Sequence, residues 1–206
     1  MLRDLALRDL LDAFSRPDPT PGGGSASALS SAVGASLLMM VAALPKTRHG
    51  SDADRDALAA AAGALAGIRD RLAASIDEDT AAYDGVVAAY RLPKGSADEQ
   101  AERKAAIQRA LRAATDVPLE VMRQSARALE EATVVAGHGY KSASSDVGVA
   151  IAMLMAGSAG AHLNVDVNLD AIADETYRGT VGDEARDLME RTGRIAQRAE
   201  DLLQVD

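Results

Sequence analysis

The chain contains no cysteine and no tryptophan, and only four tyrosines and one phenylalanine among 206 residues. Without cysteine there is no disulfide, no thiolate nucleophile and no Cys-ligated zinc. With aromatics at 2%, any core must be assembled from aliphatic side chains. Positive charge is scarce too. The 22 Lys and Arg stand against 31 Asp and Glu, a formal net charge of −9, opposite to the basic footprint that nucleic acid demands. No signal peptide leads the chain, so a cytoplasmic location is expected. One uncharged run, Ala26–Leu44, has about the length of a membrane span. Its serines (Ser27, Ser30, Ser31, Ser36) and many alanines favour a helix buried in protein, so no membrane partner is expected.

What is abundant is alanine and leucine, within a hydrophobic fraction of 48%. Alanine is the best helix former, and leucine loses little rotamer freedom in a helix. The length suits one domain with a substantial core. The expectation is an all-α protein, a bundle of long helices in a single domain over residues 1–206.

Periodicity places the helices. Leu2–Phe14 reads as an opening helix with Leu7, Leu10, Leu11 and Phe14 on one face. Three prolines and three consecutive glycines between Arg16 and Gly24 end it. A second helix is expected from about Ser25 to Leu44, followed by a polar loop over 45–51. A long helix runs from Asp52 to about Tyr90, ended by Leu92-Pro93-Lys94-Gly95. Ser96 and Glu99 have capping-box spacing at the start of the next. Pro118 should kink or split that helix, which resumes to about Val135 before Gly137-His138-Gly139. Another follows from about Ser145 to Leu163. Leu163–Leu169 alternates with period two, which taken alone suggests a strand; with no other strand to pair with, a helix or an extended linker is expected instead. The last helix carries Val181, Ala185, Leu188, Thr192, Ile195, Ala199 and Leu202 at alternating intervals of four and three, the seam of a bundle.

Three places could carry chemistry. Asp79 lies in an apolar stripe formed by Leu65, Ile68, Leu72, Ile76, Tyr83, Val86 and Tyr90. Asp77, about 200° away round the helix, should face solvent. A carboxyl in such a stripe is desolvated, which raises its pKa and suits it to acid/base work near neutrality. Equally, it could be a structural Asp paired with an Arg or a helix N-terminus. The second place is Pro19-Thr20-Pro21-Gly22-Gly23-Gly24-Ser25, where glycines admit a ligand to the backbone and a helix N-terminus offers N–H donors to an anion. It is not a Walker loop, and a Gly-rich segment between helices is often only a turn. The third is Lys141-Ser142-Ala143-Ser144-Ser145-Asp146, where the serines or Asp146 could cap the following helix and Lys141 could place a cation beside a ligand. His49, His138 and His162 lack metal-ligand spacing, and no nucleophile elbow is present. No metal and no cofactor are expected.

Taken in order, these motifs resemble the cyclodeaminase family of folate enzymes, which includes the cyclodeaminase domain of formiminotransferase-cyclodeaminase and stand-alone bacterial methenyltetrahydrofolate cyclohydrolases. The matching residues are Pro19–Ser25 with the Ala/Ser-rich helix to Val41, Asp77–Tyr83, Arg91–Lys94, Asp116–Leu119, Ser145-Asp146, Leu163–Leu169 and Ile172–Tyr177. They span almost the whole chain. Asp166 departs from the family pattern, where an apolar residue is usual. The resemblance implies an all-helical homodimer with the active-site groove near the subunit interface, and a tetrahydrofolate derivative as substrate. Asp79 falls on the family's proposed proton donor and acceptor. Lys141 is expected beside it as a second catalytic group. Pro21, Gly22, Gly23, Gly24, Ser25, Ser145, Asp146 and Asn164 are expected to contact substrate.

Two reactions suit that scaffold. A cyclohydrolase would add water to the bridging carbon of 5,10-methenyltetrahydrofolate and open the ring to 10-formyltetrahydrofolate. A formimidoyltetrahydrofolate cyclodeaminase would release ammonia instead. No transferase domain precedes the chain, which tilts the expectation towards the cyclohydrolase. A helical protein that binds folate or a partner helix without turnover is the alternative of a different class.

Overall fold

The computed structural model describes residues 1–204, and among these every regular element is helical. A 3-10 turn over Leu2–Asp4 precedes α1 (Leu7–Ser15), α2 (Gly23–Ala42), α3 (Asp52–Tyr90), α4 (Ala97–His138), a second 3-10 turn over Lys141–Ala143, α5 (Ser144–Asp170) and α6 (Glu175–Gln204). Side-chain caps set three of the starts, Asp174 accepting from the Tyr177 amide at 3.0 Å before α6. The Ser51 hydroxyl accepts from the Asp54 amide at 3.1 Å and opens α3. Ser96 and Glu99 form the expected capping box at α4. Each cap satisfies amides that the first helical turn leaves unbonded.

Helix α2 packs against α5, α3 and α4, and α4 in turn packs against α2, α3, α5 and α6. Ala28, Ala35, Leu38 and Val41 of α2 are fully buried, in contact with a core drawn from every other long helix. Both α2 and the segment Lys141–Asp170 are long and apolar enough to cross a membrane by length and composition. About half of α2's apolar window is instead covered by its neighbours.

Small residues let α2 and α5 approach very closely. A Cβ on Gly157 would stand 2.0 Å from Ser31 Oγ and 2.6 Å from the Ser27 carbonyl oxygen. In a core nearly devoid of aromatics, this backbone proximity supplies the density that large rings would otherwise provide.

Two local expectations are corrected and two are narrowed. The opening helix breaks at Leu5-Ala6, and Leu7 and Leu11 stay exposed, leaving Leu10 as the one buried residue of α1. Asp77 does not face solvent: the N-terminal segment folds over it, its carboxylate accepts from the Leu2 amide, and Arg3 Nε lies 3.4 Å away. Residues 163–169 are helical. Val165 and Leu169 face the core and Leu163 and Val167 face out, so the period of two arises from two apolar faces of one helix. Pro118 neither ends nor splits α4. A proline within a helix leaves the carbonyl four residues earlier without its donor. Here the Asn168 side-chain amide of α5 donates to the Ala114 carbonyl at 2.9 Å in its place.

Helix α6 follows its expected seam. Val181, Ala185, Leu188, Thr192 and Ala199 are buried against α4 and α5, with Ala196 replacing Ile195 in the core as the helix rotates. A two-pronged pair, Arg123 to Glu184 at 2.7 and 2.9 Å, ties α6 to α4.

Candidate active site

The Pro-rich turn after α1 brings the chain back so that α2 begins beside the middle of α3. At that junction the Asp79 carboxylate of α3 meets the first turn of α2. Asp79 Oδ2 accepts the Ser25 backbone N–H at 2.8 Å and the Ser25 hydroxyl at 2.9 Å. The helix N-terminus thus holds an anion in the expected manner, but the anion is supplied by the chain itself. Of the two readings open for Asp79, the pairing with a helix N-terminus is present. It does not exhaust the residue, because Asp79 also lines a cleft of about 300 Å³.

That cleft is walled by Pro19 and Thr20 of the turn, Gly22–Gly24, Tyr83 and Val86 of α3, Leu111 and Ala114 of α4, and Asn164, Val167 and Asn168 of α5. Burial pushes the Asp79 carboxyl above its ordinary value of 3.8, and the Ser25 hydroxyl and amide pull it partly back. The outcome is a carboxyl biased towards holding a proton, with donors ready for its ionised form. Such a group can both accept and return a proton.

Gly24 makes this placement possible. A Cβ there would lie 2.0 Å from Asp79 Oδ1 and 2.5 Å from Cγ, so any side chain would occupy the space of the carboxylate. Across the cleft, Asn164 and Asn168 stand one turn apart on α5. Their amide nitrogens are committed to the Gly160 and Ala114 carbonyls at 2.8 and 2.9 Å. Each therefore has its side-chain oxygen left as an acceptor.

The expected site residues divide into two groups. Asp79, Gly22, Gly23, Gly24 and Asn164 meet at the cleft. Ser25 is fully buried beneath it with its hydroxyl and amide directed to Asp79 and the Ile76 carbonyl, and Pro21 follows a cis peptide bond without lining the cleft. Ser145 and Asp146 lie in the first turn of α5, roughly 28 Å from Asn164 at 1.5 Å per residue, and Lys141 lies in the 3-10 turn just before it. Lys141 borders a narrow crevice with Arg48 and Tyr140 there. Among the described residues, the lining of the Asp79 cleft includes no Lys or Arg. Tyr83 and Val86 stand on the apolar stripe around Asp79, but neither they nor Val167 and Asn168 were expected to line the site. The nearest signal was Pro118, whose orphaned carbonyl needed a donor and found Asn168.

A bundle with a desolvated carboxyl on a helix N-terminus, lining an open cleft, defines an all-helical enzyme. The chain belongs to the formiminotransferase-cyclodeaminase family, whose model it matches over residues 6–187. It is similar to the methenyltetrahydrofolate cyclohydrolase of Methylorubrum extorquens, 36% identical over 192 residues that cover 93% of this chain and 92% of that protein. It is 32% identical to the formimidoyltransferase-cyclodeaminase of Rattus norvegicus over 86% of this chain, and it spans only 33% of that longer protein. Among solved structures, formiminotetrahydrofolate cyclodeaminase from Thermotoga maritima superposes with a TM-score of 0.88 at 26% identity, covering 99% of this chain and 98% of that one.

Proposed function

We propose that the protein is a methenyltetrahydrofolate cyclohydrolase in which Asp79 is the acid/base. The carrying observation is the carboxyl itself: desolvated, held by two donors and facing a cleft of ligand size. Water adds to the cationic carbon bridging two folate nitrogens, and Asp79 takes a proton from that water. The tetrahedral carbon then releases the pteridine nitrogen, which receives the proton from Asp79. The remaining hydroxyl proton passes to solvent as the formyl carbonyl forms. Gly22–Gly24 let the substrate lie against backbone, and the Asn164 oxygen accepts from an N–H of the folate. No metal or cofactor takes part. Near full-length similarity to a relative named for this reaction favours it. Similarity to cyclodeaminases keeps ammonia release from formimidoyltetrahydrofolate as the second reading.

The reading includes a cytoplasmic location and a homodimer, and the uncovered faces of α2 and α5 support the homodimer. Val149, Ala152, Ala156, Ala159, Leu163 and Val167 form an uncharged, exposed stripe along α5, at the three-and-four spacing of a helix–helix seam. Val33 and Met40 of α2 are exposed as well. An antiparallel pairing of two α5 helices would carry the Lys141–Asp146 end of a second copy towards this cleft. That gives those residues a route to the substrate which a single copy lacks.

The test is to mix purified protein with 5,10-methenyltetrahydrofolate and follow loss of its near-ultraviolet absorbance, with Asp79→Asn alongside. Fast loss with wild type and a fall of at least about a hundredfold in the variant is expected, the scale of a general acid/base. No loss with wild type overturns the cyclohydrolase reading, and ammonia release from formimidoyltetrahydrofolate would install the cyclodeaminase.

A further inference from the structure

The Ser25 hydroxyl lies between two acceptors. Its oxygen is 2.9 Å from Asp79 Oδ2 and 2.9 Å from the Ile76 carbonyl oxygen, one turn earlier on α3. A hydroxyl carries a single hydrogen and can serve only one acceptor fully at a time. Ser25 is fully buried, so no water replaces either bond. Its backbone N–H stays on Asp79 Oδ2 in either case, at 2.8 Å.

We infer that Ser25 is a positioning residue whose hydroxyl switches acceptor with the protonation state of Asp79. With Asp79 ionised, the hydroxyl hydrogen points to Oδ2, and the charge is held by two donors. When Asp79 takes a proton, Oδ2 becomes a weaker carbonyl-type acceptor and the hydroxyl hydrogen turns to the Ile76 carbonyl. No covalent bond at Ser25 changes, since the O–H stays intact and only its direction alters. The gained proton sits on Oδ1, the oxygen that faces the space kept clear at Gly24. Both states are then satisfied without moving the backbone. A buried carboxyl with fixed donors would be held in its ionised form, and one without donors would stay protonated. The rotating hydroxyl lets the same carboxyl pass between the two.

The inference rests on Asp79 being the acid/base, and its test has one arm that needs no turnover. Carbon-13-labelled aspartate is titrated by NMR in wild type, Ser25→Ala and Ser25→Thr, with the Asp79 signal identified by its loss in Asp79→Asn. Deleting a hydrogen bond to a charged group should move the Asp79 titration in Ser25→Ala upward by about one pH unit or more. The acid limb of the kcat/KM profile should move with it, and Ser25→Thr, which keeps the hydroxyl, should return both towards wild type. An Asp79 titration unmoved in Ser25→Ala overturns the switch, since a purely space-filling serine would leave it in place. A folded Ser25→Thr protein that titrates like Ser25→Ala overturns it too. Should Asp79→Asn keep the wild-type rate, the acid/base reading falls separately, and the NMR titration still decides whether Ser25 follows the charge on Asp79.

Discussion

Gly24→Ala tests the geometry of the site with a single methyl group. The added Cβ would stand 2.0 Å from Asp79 Oδ1, 2.5 Å from Cγ and 2.9 Å from Oδ2. Non-bonded carbon contacts rest at about 3.5 Å, so the carboxylate must retreat by about 1–2 Å. Asp79 has one of the shortest charged side chains, and a retreat of that size breaks its bonds from the Ser25 amide and hydroxyl. Two such bonds to a charged group are worth roughly 1.5–3 kcal/mol each. The displaced carboxylate recovers part of that from water in the cleft, and alanine gains up to about 1 kcal/mol over glycine in helix propensity. The net loss of stability is therefore modest, on the order of 1–3 kcal/mol, and the protein should fold. The rate should suffer much more, because misplacing a catalytic group by about 1 Å costs on the order of a hundredfold. The assay is the near-ultraviolet decay of methenyltetrahydrofolate, with thermal unfolding in parallel. Gly67→Ala is the control: its Cβ would meet nothing within 4 Å, so it should match wild type in rate and gain slightly in stability. A Gly24→Ala protein retaining more than about a third of the wild-type rate would refute the placement of Asp79 as the acid/base.

Three further outcomes are expected. Because burial raises the Asp79 pKa in the folded state, wild type loses stability as pH rises from the unfolded value near 3.8 through the folded one. Asp79→Asn should therefore unfold at a higher temperature than wild type at pH 8 and lose that advantage near pH 4; equal unfolding temperatures at pH 8 would contradict this. Asp54 is the reverse case. Hydrogen bonds from His138 first, then the His49 amide, the His49 ring and Thr47, hold its buried carboxyl well below the ordinary value of 3.8, against the opposing effect of burial. Asp54→Asn should lower the unfolding temperature in full above about pH 4, with the gap narrowing as the pH falls further; a gap unchanged at pH 2 would refute the linkage. Gly157→Ala should drive α2 and α5 apart and cost about 1–3 kcal/mol, roughly 2–4 °C per kcal/mol in a chain this size. Adding Ser31→Ala should not restore it, because the Ser27 carbonyl at 2.6 Å is backbone; a single variant as stable as wild type would show that the two helices are not closely apposed.

Much of the fold was legible from local patterns. The Asp52–Tyr90 helix, the Ser96–Glu99 capping box and the α6 seam follow from rules acting within a few residues, and they stand as expected. The apolar stripe that drew attention to Asp79 was half right. Leu65, Ile68, Leu72 and Ile76 are buried, whereas Tyr83 and Tyr90 are exposed. Periodicity reports that a face is apolar and is silent about what covers it. Leu163–Leu169 shows the same limit: a second apolar face on one helix imitates the period of a strand, and only the lack of a partner strand argued for the helix that is found.

Alanine-rich composition, scarce aromatics and helical spacing determined the class of fold by themselves, because helix propensity and amphipathic period are properties of neighbouring residues. They also marked Asp79 and Gly22–Gly24 as unusual. Only the tertiary structure decided that these belong together. Asp79 and Ser25 are 54 positions apart in sequence, yet the α2 N-terminus holds that carboxylate. The same packing set Asn168 under the carbonyl orphaned by Pro118, and sent Lys141 and Asp146 to the far end of α5. The physical reason is that a carboxyl's proton affinity and a ligand's walls are set by whichever groups lie within hydrogen-bonding distance. In a bundle of long helices, those groups come from segments that only packing brings side by side.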